Sequence, residues 1–282
     1  MRFSVRHLMQ YEYSAPVELG AHRLRLTPRA DAGMVQSHMV RVTPEPVARR
    51  DLTDAFGNPL IALDFTGETS RFCVESRFSL DTRPPAPPPA DLPPLPWGAT
   101  PAQAIYLHGP VPDATVQAFA DGLAAEAGGD ALVFLNLLNR QLFTRTDRQI
   151  RLEGDAQDPR ETLASARGAC RDLAVLFIAA ARSQGIPARF VSGYQAHAES
   201  VDGQRHLHAW AEVWLGQDGV GREGAGQGWY GYDPTHGLAV GEGHVALCAA
   251  PDQAGTMPLE GGFWGLNIRT LLRYTVEIET DG

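Results

Sequence analysis

The chain has 282 residues, 44% of them hydrophobic, which is enough for a buried core and for two domains of ordinary size. Its net charge of -9 argues against nucleic acid or an anionic membrane surface as a partner. All 24 basic residues are Arg, so in an isopeptide-forming reaction the chain's own amine donor could only be its N-terminus.

The opening residues, Met1-Arg2-Phe3-Ser4-Val5-Arg6-His7, alternate apolar with polar, which reads as a strand rather than the apolar run of a signal peptide. The same alternation over 2–13, 22–27, 38–43, 59–65 and 70–80, with turn residues between, predicts an antiparallel β domain over residues 1–82. Residues 83–101 hold Pro84, Pro85, Pro87, Pro88 and Pro89 and more prolines beyond, so they are expected to run extended as a linker; a Pro-rich ligand for a partner domain is the alternative. Residues 102–282 are expected to form a catalytic domain, opening with helices over about 113–127 and 130–143. Asp158-Pro159-Arg160-Glu161 marks a further helix start, with Asp as cap, Pro first and Glu third.

Cys170 begins the most informative segment. Leu173, Leu176, Phe177, Ala180 and Ala181 recur at three- and four-residue steps, one buried helical stripe that ends at Gln184-Gly185-Ile186-Pro187. Gly168 lets the chain turn into this helix, and the unpaired N–H groups and macrodipole at its start favour a thiolate on Cys170. Asp172 suits the dipole, although its own charge opposes thiolate formation. Downstream, His208 lies in a β pattern and Asp233 ends the next one, with the glycine-rich stretch 216–228 between them reading as a hairpin loop. A hairpin symmetric about Val220 and Gly221 would set His208 directly opposite Asp233. A thiol nucleophile, an imidazole base and a carboxylate that orients it are what attack on an amide carbonyl requires.

At Gly168-Ala169-Cys170-Arg171-Asp172-Leu173, Gly185-Ile186-Pro187-Ala188-Arg189-Phe190, His208-Ala209-Trp210-Ala211-Glu212-Val213 and Gly231-Tyr232-Asp233-Pro234-Thr235 the chain resembles the bacterial transglutaminase-like family. His7, Tyr11, Tyr13, the run His22 to Pro28 and Asp54-Ala55-Phe56-Gly57-Asn58 resemble the β-rich region that precedes this core in bacterial relatives. The resemblance implies an α+β fold, a papain-like core behind an antiparallel β domain, with Cys170 as nucleophile, His208 as general base and acid, and Asp233 as orienter. Two residues depart from the pattern: His236 stands where many relatives carry Asn, and Leu207 precedes the histidine where a small polar residue is common.

The reaction implied is acyl transfer through a thioester on a peptide or Gln-carboxamide substrate. Hydrolysis ranks first, transfer to an amine second, and a non-catalytic peptide-binding scaffold is the alternative of another class. No cofactor or metal is expected. A zinc site from His206 and His208 with Cys170 or His236 is the competing reading, but no pair has familiar zinc spacing. Trp210, Trp214 and Trp229 read as core rather than channel walls, and Glu212 as a structural hydrogen-bonder. The longest strongly apolar stretch, Leu173 to Ala181, is far shorter than the ~20 residues of a membrane helix. Cys73, Cys170 and Cys248 cannot all pair, and Cys73 and Cys248 read as buried small hydrophobes. A cytoplasmic location and no membrane partner are therefore expected.

Overall fold

The alternation that starts at Phe3 carries on through β1 (Arg2–Leu19), whose Phe3, Val5, His7, Met9 and Tyr13 turn inward. The computed structural model describes residues 1–98, 101–108, 113–152, 154–197, 204–216 and 228–281, and over them the fold is α+β. β1 is followed by β2 (His22–Leu24), β3 (Gly33–Thr43), β4 (Ala48–Thr53), β5 (Pro59–Asp64) and β6 (Glu68–Thr82). The helical part then brings α1 (Ala114–Glu126), α2 (Ala131–Arg145), β7 (Asp147–Arg148), α3 (Pro159–Ser165), β8 (Arg167–Gly168) and α4 (Cys170–Ser183). Strands β9 (Ala188–Gln195), β10 (His208–Trp214), β11 (Trp229–Asp233), β12 (Leu238–Ala239) and β13 (His244–Ala250) form one antiparallel sheet in the order β12-β11-β10-β9-β13. The chain ends in β14 (Leu259–Glu260), β15 (Phe263–Trp264) and β16 (Thr270–Asp281).

The helix starts follow from side-chain caps. Asp113, Asp130 and Asp158 each accept a backbone N–H of their own first turn, from Thr115, Val133 and Arg160. Helix α4 buries Leu173, Leu176, Phe177, Ala180 and Ala181 against α1, α2 and the β10 residues Ala209, Ala211 and Val213. Each buried Leu or Phe on that stripe contributes about 1.5–3 kcal/mol. The helix ends at Gly185, whose φ of 75° suits glycine and whose Cα faces the Trp97 carbonyl too closely to admit a Cβ.

Two boundaries differ from the sequence expectation. The Pro-rich segment is held down: Leu92, Leu95 and Trp97 pack against the helical core, and the Trp97 N–H donates to the Gln184 carbonyl at 2.9 Å. It is a strap across the helical part, because its few large apolar side chains pack there. The last strand, expected inside a unit spanning 102–282, returns to the N-terminal sheet: β16 pairs with β1 from Arg2↔Asp281 to Tyr13↔Thr270. The apolar cluster beneath that sheet also takes in Tyr194, Val245, Leu247 and Cys248 from β9 and β13, so the β domain is packed against the sheet that carries His208. Strand β4 went unread in the sequence because its residues Ala48-Arg49-Arg50-Asp51-Leu52-Thr53 are nearly all exposed and show no apolar face.

Candidate functional site

Cys170 is the first residue of α4 and is partly exposed in a cavity of about 540 Å³. Its backbone approach is fixed from two directions. The parallel pair β7·β8 lays Gln149 beside Gly168, whose carbonyl accepts the Gln149 N–H at 2.9 Å. Asp172, fully buried in the first turn, accepts the Ala169 N–H at 2.7 Å on Oδ2, and on Oδ1 it accepts Arg151 Nη2 at 2.6 Å and the Gln157 N–H at 2.8 Å. The charge expected to oppose a thiolate is therefore already spent on Arg151 and two amides, while it ties Arg151 and Gln157 to the start of the helix that Cys170 opens.

His208 begins β10 and is buried, and its Nε2–H donates to Asp233 Oδ2 at 2.9 Å. This contact fixes the neutral tautomer and leaves Nδ1 as the nitrogen not engaged by Asp233. Both Cys170 and His208 line the same cavity. The register that delivers the contact is not the symmetric one. β10 and β11 pair as Ala211↔Tyr232 and Trp214↔Trp229, so Asp233 falls opposite Trp210, two residues from the expected alignment. A slip of two keeps every side chain on its face, because strand faces alternate with period two, so His208 and Asp233 meet as diagonal neighbours. The expected hairpin loop lies, over 217–227, outside the described residues.

Asp233 serves more than His208. Its Oδ2 also meets His236 Nδ1 at 2.8 Å and His244 Nε2 at 3.1 Å, and its Oδ1 accepts the Thr235 N–H at 3.0 Å. Burial pushes this carboxyl up, but attraction to His208 and the hydrogen bonds of the three imidazoles outweigh burial and hold it well below the usual carboxylate range. His244 is pushed down by burial, against the pull of Asp233. The sequence shows His236 as a departure from the family pattern and as a candidate zinc ligand, and gives no sign of His244, since it arrives from β13 and nothing local links it to Asp233.

One nitrogen each from His208 and His236, with a carboxylate oxygen of Asp233, lie within 4.8 Å of one another, the density of a metal site. The 2.8 and 2.9 Å contacts to Oδ2 are hydrogen-bond lengths, shorter than the roughly 3.3 Å that separates ligands around a tetrahedral zinc. The donor set therefore fits a carboxylate clamped by N–H groups. His206, the other half of the zinc reading, instead meets the Tyr274 hydroxyl at 3.0 Å.

The cavity has walls from both parts of the chain. Met9 and Tyr11 of β1 and Leu272 and Tyr274 of β16 face it from the N-terminal sheet, and Ile150 and Leu152 from the segment before Cys170. Trp210 is fully buried, and Trp214 and Trp229 stack edge to face, and none of the three is among the lining residues. Glu212 accepts from Arg189 Nε at 2.7 Å across β9 and β10, with the Arg189 guanidinium 4.0 Å above Trp229. Cys248 is buried, its thiol donates to the Thr256 carbonyl, and burial pushes that thiol up to about 12; Cys73 is half-buried. Among the described residues no helix is long and apolar enough to cross a membrane.

Residues 120–234 match the transglutaminase-like superfamily core and residues 3–81 the bacterial transglutaminase-like N-terminal region. An uncharacterised protein of Mycobacterium tuberculosis is 27% identical over 296 residues, covering 98% of this chain and 92% of that protein. One of Mycobacterium leprae is 25% identical over 281 residues, 94% of each. A solved structure from Cytophaga hutchinsonii, named as a candidate cysteine protease, covers 100% of this chain and 92% of its own with a TM-score of 0.70; at 18% identity that likeness establishes the fold. The chain therefore carries, in this order, the N-terminal region of the bacterial transglutaminase-like proteins at residues 3–81 and a transglutaminase-like superfamily core at residues 120–234.

Proposed function

We propose that the chain is an amide-bond hydrolase of the peptidase or amidase type, with Cys170 as nucleophile, His208 as base and acid, and Asp233 as orienter. The observation that carries this reading is the 2.9 Å contact between His208 Nε2 and Asp233 Oδ2 at the wall of the cavity that Cys170 opens into. Sγ of Cys170 adds to the carbonyl carbon of a peptide or carboxamide, His208 delivers a proton to the departing nitrogen, and a thioester remains. Water, deprotonated by His208, then adds to the thioester and releases the acid and the thiol. The Cys170 N–H at the helix start is a natural donor to the developing oxyanion.

The rim favours an acyl donor with apolar side chains near the scissile bond. Ile150, Leu152, Met257 and Leu272 are all exposed, come from three separate segments and converge on this one cavity. Hydrolysis is placed ahead of transfer because it needs only the water of the open cavity, whereas transfer needs a bound amine as well.

The test is mass spectrometry of the intact protein after brief exposure to a panel of Gln-containing and apolar peptides, with a labelled primary amine in half of the reactions. An acyl adduct on Cys170 that is absent from Cys170→Ala, and product acid without amine incorporation, is expected. Incorporation of the amine would replace hydrolase with transferase, and turnover undiminished in Cys170→Ala would remove the nucleophile.

A further inference from the structure

A triad needs one imidazole on its carboxylate, and Asp233 holds three. The three nitrogens, His208 Nε2, His236 Nδ1 and His244 Nε2, reach the same oxygen at 2.9, 2.8 and 3.1 Å. Because an ionised carboxylate only accepts, each of these nitrogens carries its proton. The remaining ring nitrogens then differ in what they face. Nδ1 of His244 accepts the Gly241 N–H at 3.4 Å, and the ring is buried, so His244 is fixed as a neutral donor. His208 turns the rest of its ring to the cavity shared with Cys170. His236 has a side chain 19% exposed, so among these three its ring is the one open to water.

The His236 ring lies 5.3 Å from that of His208, centroid to centroid. The reaction requires a positive charge on His208, both when it pairs with a thiolate and when it carries the proton to the leaving nitrogen. One carboxylate neutralises one imidazolium, and a second imidazolium at that distance is a like charge in a buried setting. The other titratable or charged groups around His236, among the described residues, are His197 beyond β9, with its ring 6.3 Å away, His244 from β13, and Arg148, whose Nη1 donates to the Thr235 carbonyl at 2.8 Å. The acid against it is Asp233, at 2.8 Å.

We propose that His236 is a positioning residue that acts through Asp233: neutral, it helps hold the carboxylate that steers His208, and protonated, it competes for that carboxylate and sets the acid edge of the site's reactivity. The inference rests on the assignment of Cys170 and His208 as a reacting pair, and it gives a role to His236, one of the two residues that depart from the family pattern. The proton exchanged comes from solvent and returns to it; no bond other than N–H changes.

His236→Asn supplies an amide N–H in place of the Nδ1 donor and cannot become charged. Two readouts separate this inference from the proposed function. The first is ring-nitrogen NMR of His208 against pH in the wild type and in His236→Asn, which needs no turnover. The second is the rate of Cys170 alkylation by iodoacetamide against pH, resolved by peptide mapping. In His236→Asn the His208 titration is expected to move to higher pH and the acid edge of Cys170 alkylation to lower pH, each by roughly one unit, because the like charge beside the imidazolium is gone. If His236→Asn does not fold, His236→Gln is read the same way. Superimposable His208 titrations in wild type and variant would overturn the inference even if Cys170 proves to be the nucleophile. A shifted His208 titration with an unreactive Cys170 would sustain the coupling and remove the proposed chemistry instead.

Discussion

Asp172→Ala tests whether Cys170 is held by its own helix start or merely sits there. The substitution removes an acceptor, 1% exposed, that takes three N–H groups: the backbone amides of Ala169 and Gln157 and the Arg151 guanidinium. The Ala169 amide is left buried with its partner gone, which costs about 1–2 kcal/mol, and the half-buried Gln157 amide about 1 kcal/mol. Arg151 is 34% exposed and regains water, so its lost ion pair adds about 1 kcal/mol at most. The total is about 2–4 kcal/mol, a large share of the ~5–15 kcal/mol of an ordinary domain. Equilibrium unfolding in urea, followed by far-ultraviolet circular dichroism, should show a lower midpoint at an unchanged slope. Asp172→Asn, which keeps one acceptor oxygen, should lose about half as much. A loss below about 1 kcal/mol for Asp172→Ala would refute the claim that this carboxylate anchors the segment around Cys170.

Other consequences are equally measurable. His7, buried and in contact with the Tyr194 hydroxyl at 2.8 Å, is pushed down to about 4 by burial. The unfolded chain protonates this histidine near 6.5 and the folded one resists, so the stability is complete above pH 6.5 and declines by about 3 kcal/mol as pH falls to about 4. In His7→Asn that decline should shrink by the same amount in pH-dependent urea melts, and an unaltered profile would mean that another group carries it. At the cavity rim, where Leu272 is a lining residue, Leu272→Asp should raise KM for apolar peptides about ten-fold more than it lowers kcat if the proposed acyl donor rests its side chains there. Equal losses for apolar and acidic peptides would exclude the rim as a determinant.

What could be read from the sequence was what depends on near neighbours. The caps Asp113, Asp130 and Asp158, the stripe Leu173, Leu176 and Phe177, and the alternation in β1 are written within a few residues of where they act. The contact of His208 with Asp233 was legible because strand period two tolerates the slip of two that the actual hairpin adopts. Less local features were not legible. The pairing of β16 with β1 joins the two ends of the chain, and the arrival of His244 at Asp233 depends on β13 lying next to β9, which no spacing within the sequence encodes. Asp172 was recognised for its position on the helix dipole, but its partners Arg151 and Gln157 come from a segment without periodicity.

The central claim is that Cys170 is activated by His208, and peptide-resolved alkylation with iodoacetamide at mildly acidic pH tests it most directly. Cys170 should be modified well before Cys73 and Cys248, with Cys248 protected by burial that pushes its thiol up to about 12, and the advantage of Cys170 should vanish in His208→Ala. Three thiols reacting at one slow rate, or a Cys170 indifferent to the loss of His208, would contradict the account.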